Sequence, residues 1–326
     1  MRTLVTGSTG TVGGAIVKQL LEAGREVRVL VRDVARAKPI LPAAVELVAG
    51  DTTDAASVKA AVAGCEAIFH TAGLPEQWLR DPRRFTDVNV GGSTNMGEAA
   101  LAAGVKAFVY TSTIDVLEWK HGLPFDERTI ATAPKGSHYE RSKQEADRAM
   151  VALQGRGLPV RYAHPAAVFG DAPALTPGLN DLLVRILKGK VPMILPGGIP
   201  VVLTDDVARG HLALEKAPVG ARAIFSERFV SLVELAQELV RAAGRGKVPR
   251  VLPVWIAKLV SGAGEGLSKI TRRAPLIPAG QLQFLLEDVH PSSERAKREL
   301  GWTPVPFPEA MDRAVAAFRA KGWVGE

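Results

Sequence analysis

Tyr139 and Lys143 stand four residues apart in Tyr139-Glu140-Arg141-Ser142-Lys143, a spacing that puts a phenol and an ammonium on one face of one helix. An ordinary tyrosine, with a pKa near ~10, is a poor proton donor or acceptor at neutrality. A cation beside it favours the phenolate and lowers that value. Such a pair is suited to moving a proton to or from an oxygen. The β-branched run ending in Tyr110-Thr111-Ser112-Thr113 offers hydroxyls to hold that oxygen. Thr113 is the expected hydrogen-bonding residue and Ser112 its near alternative. Asn89, in the helical pattern before that run, is a candidate to hold a water between Lys143 and solvent, with interior polar packing as the other reading.

A second constellation opens the chain. The run Thr3–Thr6 leads into Gly7-Ser8-Thr9-Gly10-Thr11-Val12-Gly13 and then into the helical stretch Val12–Ala23. In this G-x-x-G-x-x-G spacing the first glycine permits a tight turn and the second lets backbone approach a pyrophosphate. The third lets helix pack on sheet, and helix N-terminal amides then face the anion. The loop therefore predicts a dinucleotide cofactor. The next strand ends Val29-Leu30-Val31-Arg32-Asp33, with Val31 where an NAD site commonly carries an acid and Arg32 directly after it. The expectation is NADP, with NAD as the alternative through Asp33. Asp51, after the strand Val45–Ala49, is expected to accept from the adenine amino group or else to cap the helix Ala55–Ala63. His70-Thr71-Ala72-Gly73 closes the fourth strand with small residues that admit a cofactor, His70 itself being read as structural. The expected cofactor set is Gly7, Thr9, Gly10, Thr11, Val12, Arg32, Asp51, Thr52, Thr71, Ala72, Gly73, Thr111, Tyr139 and Lys143. No metal site is expected.

These groups must be carried by an alternating scaffold. Strand-like runs at Thr3–Thr6, Val27–Val31, Val45–Ala49, Ala67–His70, Ala107–Thr111 and Val160–Ala163 alternate with helical patterns at Val12–Ala23, Ala55–Ala63, Phe85–Ala103 and Tyr139–Leu153. Continuous apolar strands joined by helical crossovers predict a parallel, doubly wound α/β sheet of Rossmann type, with ligands at the strands' carboxyl ends. After about Gly170 proline and glycine thicken, from Pro173 to Pro200. Residues 1–170 are therefore expected to form the dinucleotide-binding domain and 171–326 a smaller, mostly helical substrate lobe, with about 201–226 returning to the first.

The 326 residues, 47% hydrophobic and 23% charged, have globular composition. A lone cysteine, Cys65, allows no disulfide within the chain, and with no leader or membrane span evident a reducing, cytoplasmic setting is expected. The +7 formal charge is spread in short groups such as Lys269/Arg272/Arg273, which reads as a solvated surface and not as a nucleic-acid site.

With these motifs together, the chain resembles the extended short-chain dehydrogenase/reductase family, also called the NAD-dependent epimerase/dehydratase family. The landmarks run in order: Gly7–Gly13, Asp51, His70–Gly73, Asn89-Val90-Gly91-Gly92, Tyr110–Thr113, Tyr139 with Lys143, His164–Gly170 and Thr204-Asp205-Asp206-Val207-Ala208. The resemblance implies that Thr113, Tyr139 and Lys143 form a catalytic triad and that Pro165 and Val168 line the nicotinamide. One departure is His164, where members of the family often carry arginine.

The Val31-Arg32-Asp33 ending, together with Pro253-Val254-Trp255, Ala274-Pro275-Leu276 and Glu299-Leu300-Gly301-Trp302, is similar to the dihydroflavonol-reductase-like and hydroxysteroid-dehydrogenase-like branch. Val254–Arg273, read as a helix, has Trp255, Leu259, Ala263, Leu267 and Ile270 on one side and Lys258, Ser261, Glu265, Ser268 and Arg272 on the other. Its apolar side is expected to cover the lobe's own core, a lid over an apolar substrate or a membrane-surface helix being the alternatives. The reading as a whole is an NADP(H)-dependent enzyme interconverting a ketone and a secondary alcohol on a small, largely apolar substrate. Weak membrane-surface contact and a homodimer are the further partners it admits. Its rivals are a sugar-nucleotide epimerase or dehydratase with tightly bound NAD, and a non-catalytic dinucleotide sensor.

Overall fold

Seven parallel strands form one sheet: the inner ones carry apolar runs buried on both faces, while the edge strand Glu46–Ala49 is only partly covered. The computed structural model describes residues 1–325 apart from residue 272, and the side chains at 269 and 270 also lie outside the description. In chain order, β1 (Arg2–Thr6), α1 (Thr11–Glu22), β2 (Glu26–Val31), α2 (Val34–Ala37), β3 (Glu46–Ala49), α3 (Ala55–Val62), β4 (Ala67–His70), α4 (Gly92–Ala103) and β5 (Ala107–Thr111) alternate. Then come α5 (His138–Gly155), β6 (Val160–Pro165), β7 (Ala167–Phe169), β8 (Gly198–Leu203), α6 (Thr204–Glu215) and β9 (Arg222–Phe225). The large sheet has the order β9-β6-β5-β4-β1-β2-β3.

Neighbouring residues of each strand point to opposite faces. Val5, Phe69 and Val109 pack with Ile16, Leu20 and Val207 on one side. Leu4, Ile68 and Phe108 pack with Met96, Ala146 and Met150 on the other. Register aligns the strand ends: Thr6 pairs with both Leu30 and His70, His70 with Tyr110, and Tyr110 with Tyr162. The loops after β1, β4, β5 and β6 therefore leave from one edge. The strand order reverses between β1 and β4, the switch point where an open α/β sheet accepts a ligand.

The smaller lobe is built on a second sheet in which β8 lies between β7, parallel, and β10 (Arg228–Ser231), antiparallel, and β10 leads into α7 (Leu232–Ala243). Its core gathers Phe169, Leu183, Ile199, Val230, Leu239, Phe307 and Phe318. Residues 201–226 divide: the end of β8 belongs to the small sheet, while α6 packs on α1 and β9 forms the edge of the large sheet beside β6.

Two elements differ from the periodic reading. The helix expected over Phe85–Ala103 is broken into Arg83–Phe85, a π-helical turn at Thr86–Gly91, and α4. The wider turn seats buried Asn89 inward, and a β-carbon at Gly92 would lie 2.7 Å from Thr52 Oγ1, so that position requires glycine. The second concerns α8 (Val254–Thr271), which precedes α9 (Ala279–Leu286). The expected core-covering stripe points outward: Trp255, Ala263, Leu259 and Leu267 are exposed. The packed side is Ala257, Ser261, Gly264 and Ser268, small residues at helical spacing that let Pro275, Ile277 and Leu282 approach closely. The Ile270 side chain and Arg272, expected on opposite sides, lie outside the described residues. No helix among the described residues is long and apolar enough to cross a membrane.

Candidate active site

The loop after β1 has the shape of a pyrophosphate cradle. Gly7 adopts φ +69, and a β-carbon there would lie 2.6 Å from Thr71 Oγ1 and 2.8 Å from the Ala72 nitrogen. At Gly13 it would lie 2.3 Å from the Gly7 carbonyl oxygen, which only glycine avoids. Gly10 is the N-cap of α1 and brings no side-chain acceptor, so the first-turn amides around Thr11 and Val12 are left for an anion. Ser8 Oγ is buried without a partner beside them. Thr9, Thr11 and Val12 are partly exposed along this rim. The residues fit a dinucleotide phosphate.

The residues expected on the adenosine side stand at the ends of β2 and β3. Arg32 is exposed, while Asp33 is engaged as the N-cap of α2, accepting from the Arg36 backbone at 3.0 Å and pairing with its guanidinium at 3.3 Å. Asp51 does not cap α3; Asp54 does, accepting from Ala56 and Ser57. Asp51 closes a tight turn onto Thr53, and Thr52 is buried next to it with its carbonyl accepting from Asn95 at 3.0 Å. Thr71 Oγ1 donates to the Thr6 carbonyl at 2.7 Å, Ala72 N donates to Thr6 Oγ1, and Gly73 is exposed. His70 is buried between Thr6 Oγ1 and Ser93 Oγ, and burial first, then Lys143, lowers its pKa to about 3. It is a neutral structural histidine.

A capping box sets the start of α5. Ser137 Oγ accepts from Glu140 N at 3.1 Å, and Glu140 Oε2 accepts from Ser137 N at 2.8 Å. Tyr139 is thereby fixed in the first turn, partly buried, with Phe85 edge-on at 6.5 Å. One turn on, the Lys143 ammonium is buried and donates to the Thr111 carbonyl at 2.8 Å and to Tyr110 Oη at 3.4 Å. Burial lowers its pKa to about 8 against the opposing pull of Asp147 and Asp115. The Thr111 hydroxyl is paired with His211 Nε2 at 2.9 Å. At the end of the next strand Pro165 is buried, and Val168 is partly exposed on β7.

The lowering of the Tyr139 pKa expected from Lys143 is not what the protein alone produces. Burial pushes the phenol well above its ordinary value, the nearby Asp115 carboxyl pushes further, and the neighbouring Thr113 hydroxyl only partly offsets them. Glu76, with a buried and unpartnered Oε2, adds to the upward push. The phenol is held protonated. Asp115 is the group that motif reading missed. It is buried in the short 3-10 turn Ile114–Val116, where Thr113 Oγ1 donates to its Oδ2 at 3.0 Å and accepts from its backbone N at 3.2 Å. Burial, then Glu140, raises its pKa to about 6, with Thr113, Lys135 and Lys143 opposing.

A polar chain supports Thr113 from behind. Asp147 on α5 holds Arg222 of β9 in a two-point ion pair, at 2.8 and 3.1 Å. Arg222 donates to His164 Nε2 at 3.1 Å, and His164 Nδ1 donates to the Thr113 carbonyl at 3.0 Å. Arginine is thus present beside the histidine, supplied from another strand. Ser112, the near alternative to Thr113, instead donates to Asp147 at 3.0 Å. Asn89 donates to Ser142 Oγ at 2.9 Å and is bonded both ways with the Leu74 backbone, which ties the Gly73 loop to α5. Among the described residues no group of three or more His, Cys, Asp or Glu is placed to hold a metal ion.

A profile of the NAD dependent epimerase/dehydratase family matches residues 3–224. Sterol demethylase protein B of Methylococcus capsulatus is 28% identical over 99% of this chain and 100% of its own length. A 3 beta-hydroxysteroid dehydrogenase/Delta 5-->4-isomerase of Mycobacterium tuberculosis is 30% identical over 93% of this chain and 86% of its own. Among solved structures, the UDP-glucose 4-epimerase of Thermus thermophilus in complex with NAD superposes with a TM-score of 0.78 at 25% identity, covering 98% of this chain and 99% of that one.

Proposed function

The chain belongs to the NAD dependent epimerase/dehydratase family, and on that premise we propose that it interconverts a ketone and a secondary alcohol on a largely apolar substrate, with NADP(H) as cofactor. It is an NAD(P)-dependent enzyme of the extended short-chain dehydrogenase type. The observation that carries the proposal is Tyr139, fixed by the Ser137–Glu140 capping box in the first turn of α5, one turn before the buried Lys143 that donates to the Thr111 carbonyl at the end of β5.

In the proposed reaction Thr113 and Tyr139 hold the substrate oxygen, and Tyr139 Oη gives its proton to that oxygen as the carbonyl is reduced. Oxidation runs the same transfer in reverse. A bound nicotinamide supplies or accepts the hydride at the carbonyl carbon. Lys143, buried and cationic below about pH 8, holds the ribose and favours the phenolate when Tyr139 loses its proton. The Gly7–Gly13 loop holds the pyrophosphate.

NADP(H) is supported by the exposed Arg32 and by the commitment of Asp33 to Arg36, which takes the carboxylate out of competition for the ribose. The apolar substrate class is supported by the names of the two relatives, a sterol demethylase protein and a hydroxysteroid dehydrogenase. Likeness to the Thermus epimerase favours a second reading, a sugar-nucleotide epimerase with cofactor recycled on the enzyme. A panel of cyclic and long-chain ketones, followed by NADPH absorbance, separates the two. The proposal expects net NADPH consumption that Tyr139→Phe abolishes with cofactor affinity nearly unchanged. Turnover above roughly a tenth of wild type in the phenylalanine variant, where loss of general acid catalysis predicts 10²–10⁴-fold, contradicts it.

A further inference from the structure

The outward side of α8 exposes large apolar residues to solvent. Trp255 is 69% exposed and Leu259 65% exposed, and Leu276, just beyond the helix, is 86% exposed. Val251 and Val254 extend the same patch toward the start of the helix. Such residues at helical spacing normally face a core. Here the side facing the protein is small and includes buried serines, so the orientation is built in by close packing.

The segment that carries this face is basic in sequence. From Lys247 to Arg273 the sequence carries Lys247, Arg250, Lys258, Lys269, Arg272 and Arg273 against a single acid, Glu265. That acid is turned to the protein, accepting from Ala279 N at 3.1 Å. Lys247, Arg250 and Lys258 are exposed, and none has a carboxylate within ion-pair distance among the described residues. The segment's six cations against one acid give it a formal +5. A second copy seated on the same face would set cations against cations. An anionic bilayer surface accepts the apolar stripe at its acyl boundary and the cations at its headgroups.

We propose that α8 and the segment leading into it dock the protein on an anionic phospholipid surface. The docked face is close to the chemistry: Ala257 packs with Ile277 and Leu282, and a β-carbon at Gly280 of α9 would lie 3.0 Å from Ser137 Cβ, two residues before Tyr139. The bilayer is thereby one helix away from the first turn of α5. The inference does not depend on the substrate, because binding is read without turnover.

The test is co-sedimentation of the full chain with phosphatidylcholine vesicles, with and without phosphatidylglycerol. Binding is expected to rise at least about tenfold with the anionic lipid and to fall at high salt. Trp255→Ser with Leu259→Ser and Leu267→Ser, and separately Arg250→Glu with Lys258→Glu, are each expected to lower it by about tenfold or more. All five positions are exposed, so thermal melting and cofactor affinity should not change. Absence of binding to the anionic vesicles, or equal binding to neutral and anionic ones, overturns the proposal. So does a dimer in analytical ultracentrifugation that the same apolar substitutions dissolve, since a second copy would then own the face.

Discussion

His164 donates from Nδ1 to the carbonyl of Thr113 at 3.0 Å. Its tautomer is determined by Arg222, which can only donate, and does so to Nε2. Burial, then the Arg222 charge, lowers the imidazole pKa to about 4, so the ring is neutral. Thr113, the residue proposed to hold the substrate oxygen, is thus positioned by a histidine, an arginine and the buried Asp147 behind it.

His164→Ala is therefore expected to lower kcat by about tenfold to a hundredfold through displacement of Thr113, with cofactor affinity unchanged. Arg222→Ala strands Asp147, which is 1% exposed, and should cost about 3–5 kcal/mol in unfolding experiments. Steady-state kinetics and denaturant melts check the pair. An alanine at 164 with wild-type kcat removes the positioning role.

Asp115 leads to a pH prediction. Its folded pKa of about 6 lies above the unfolded value of 3.8, so the neutral form is the one that folding favours. The stability this group supports is full below about pH 4 and is lost as pH rises through about 6, a difference of about 3 kcal/mol. Asp115→Asn should flatten that fall and melt later than wild type above about pH 6. Removing the carboxylate also removes its upward push on Tyr139. The acidic limb of kcat/KM for alcohol oxidation should then move to lower pH. A limb that stays in place shows that the two groups are not coupled.

Lys143 has a pKa lowered to about 8 by burial. Cofactor binding should weaken as pH rises through about 8 in the wild type, because the ammonium is lost, and should be flat over that range in Lys143→Ala. The variant should lose both rate and affinity. Titrations showing unaltered affinity would show that the ribose is held by other groups.

Much of this was legible in residue types and spacing. The apolar runs, the glycine loop and the Tyr139/Lys143 pair are local patterns, and the parallel sheet with its switch point follows from them. Asp115 was not, because only the 3-10 turn after Thr113 folds its carboxyl back onto the neighbouring hydroxyl. Arg222 joins Asp147 across 75 residues through strand pairing, which no window of sequence contains. For α8 the periodicity distinguishes two sides but not which one packs. That choice belongs to the small residues Ala257, Ser261 and Gly264 and to the chain that lies against them.

Arg32 sets the expected cofactor preference. A guanidinium binds a phosphate by charge-assisted hydrogen bonds worth ~1.5–3 kcal/mol each, reduced at an exposed rim. NADPH should bind about tenfold to a hundredfold tighter than NADH, a difference of ~1.4–2.8 kcal/mol. Arg32→Ala should weaken NADPH and barely touch NADH. Tighter binding of NADH by the wild type would show that Asp33 leaves Arg36 and governs the site.

The central claim, net reduction of a ketone with Tyr139 as proton donor, is tested most directly by label transfer. The enzyme is incubated with NADPH carrying deuterium at the transferable position of C4 and with the ketone that turns over in the panel. Mass spectrometry of the products should find one deuterium on the carbinol carbon for each NADPH consumed, and none when Tyr139 is phenylalanine. Sugar-nucleotide turnover with no NADPH consumed and no label in product would contradict the account and establish internal recycling of bound cofactor.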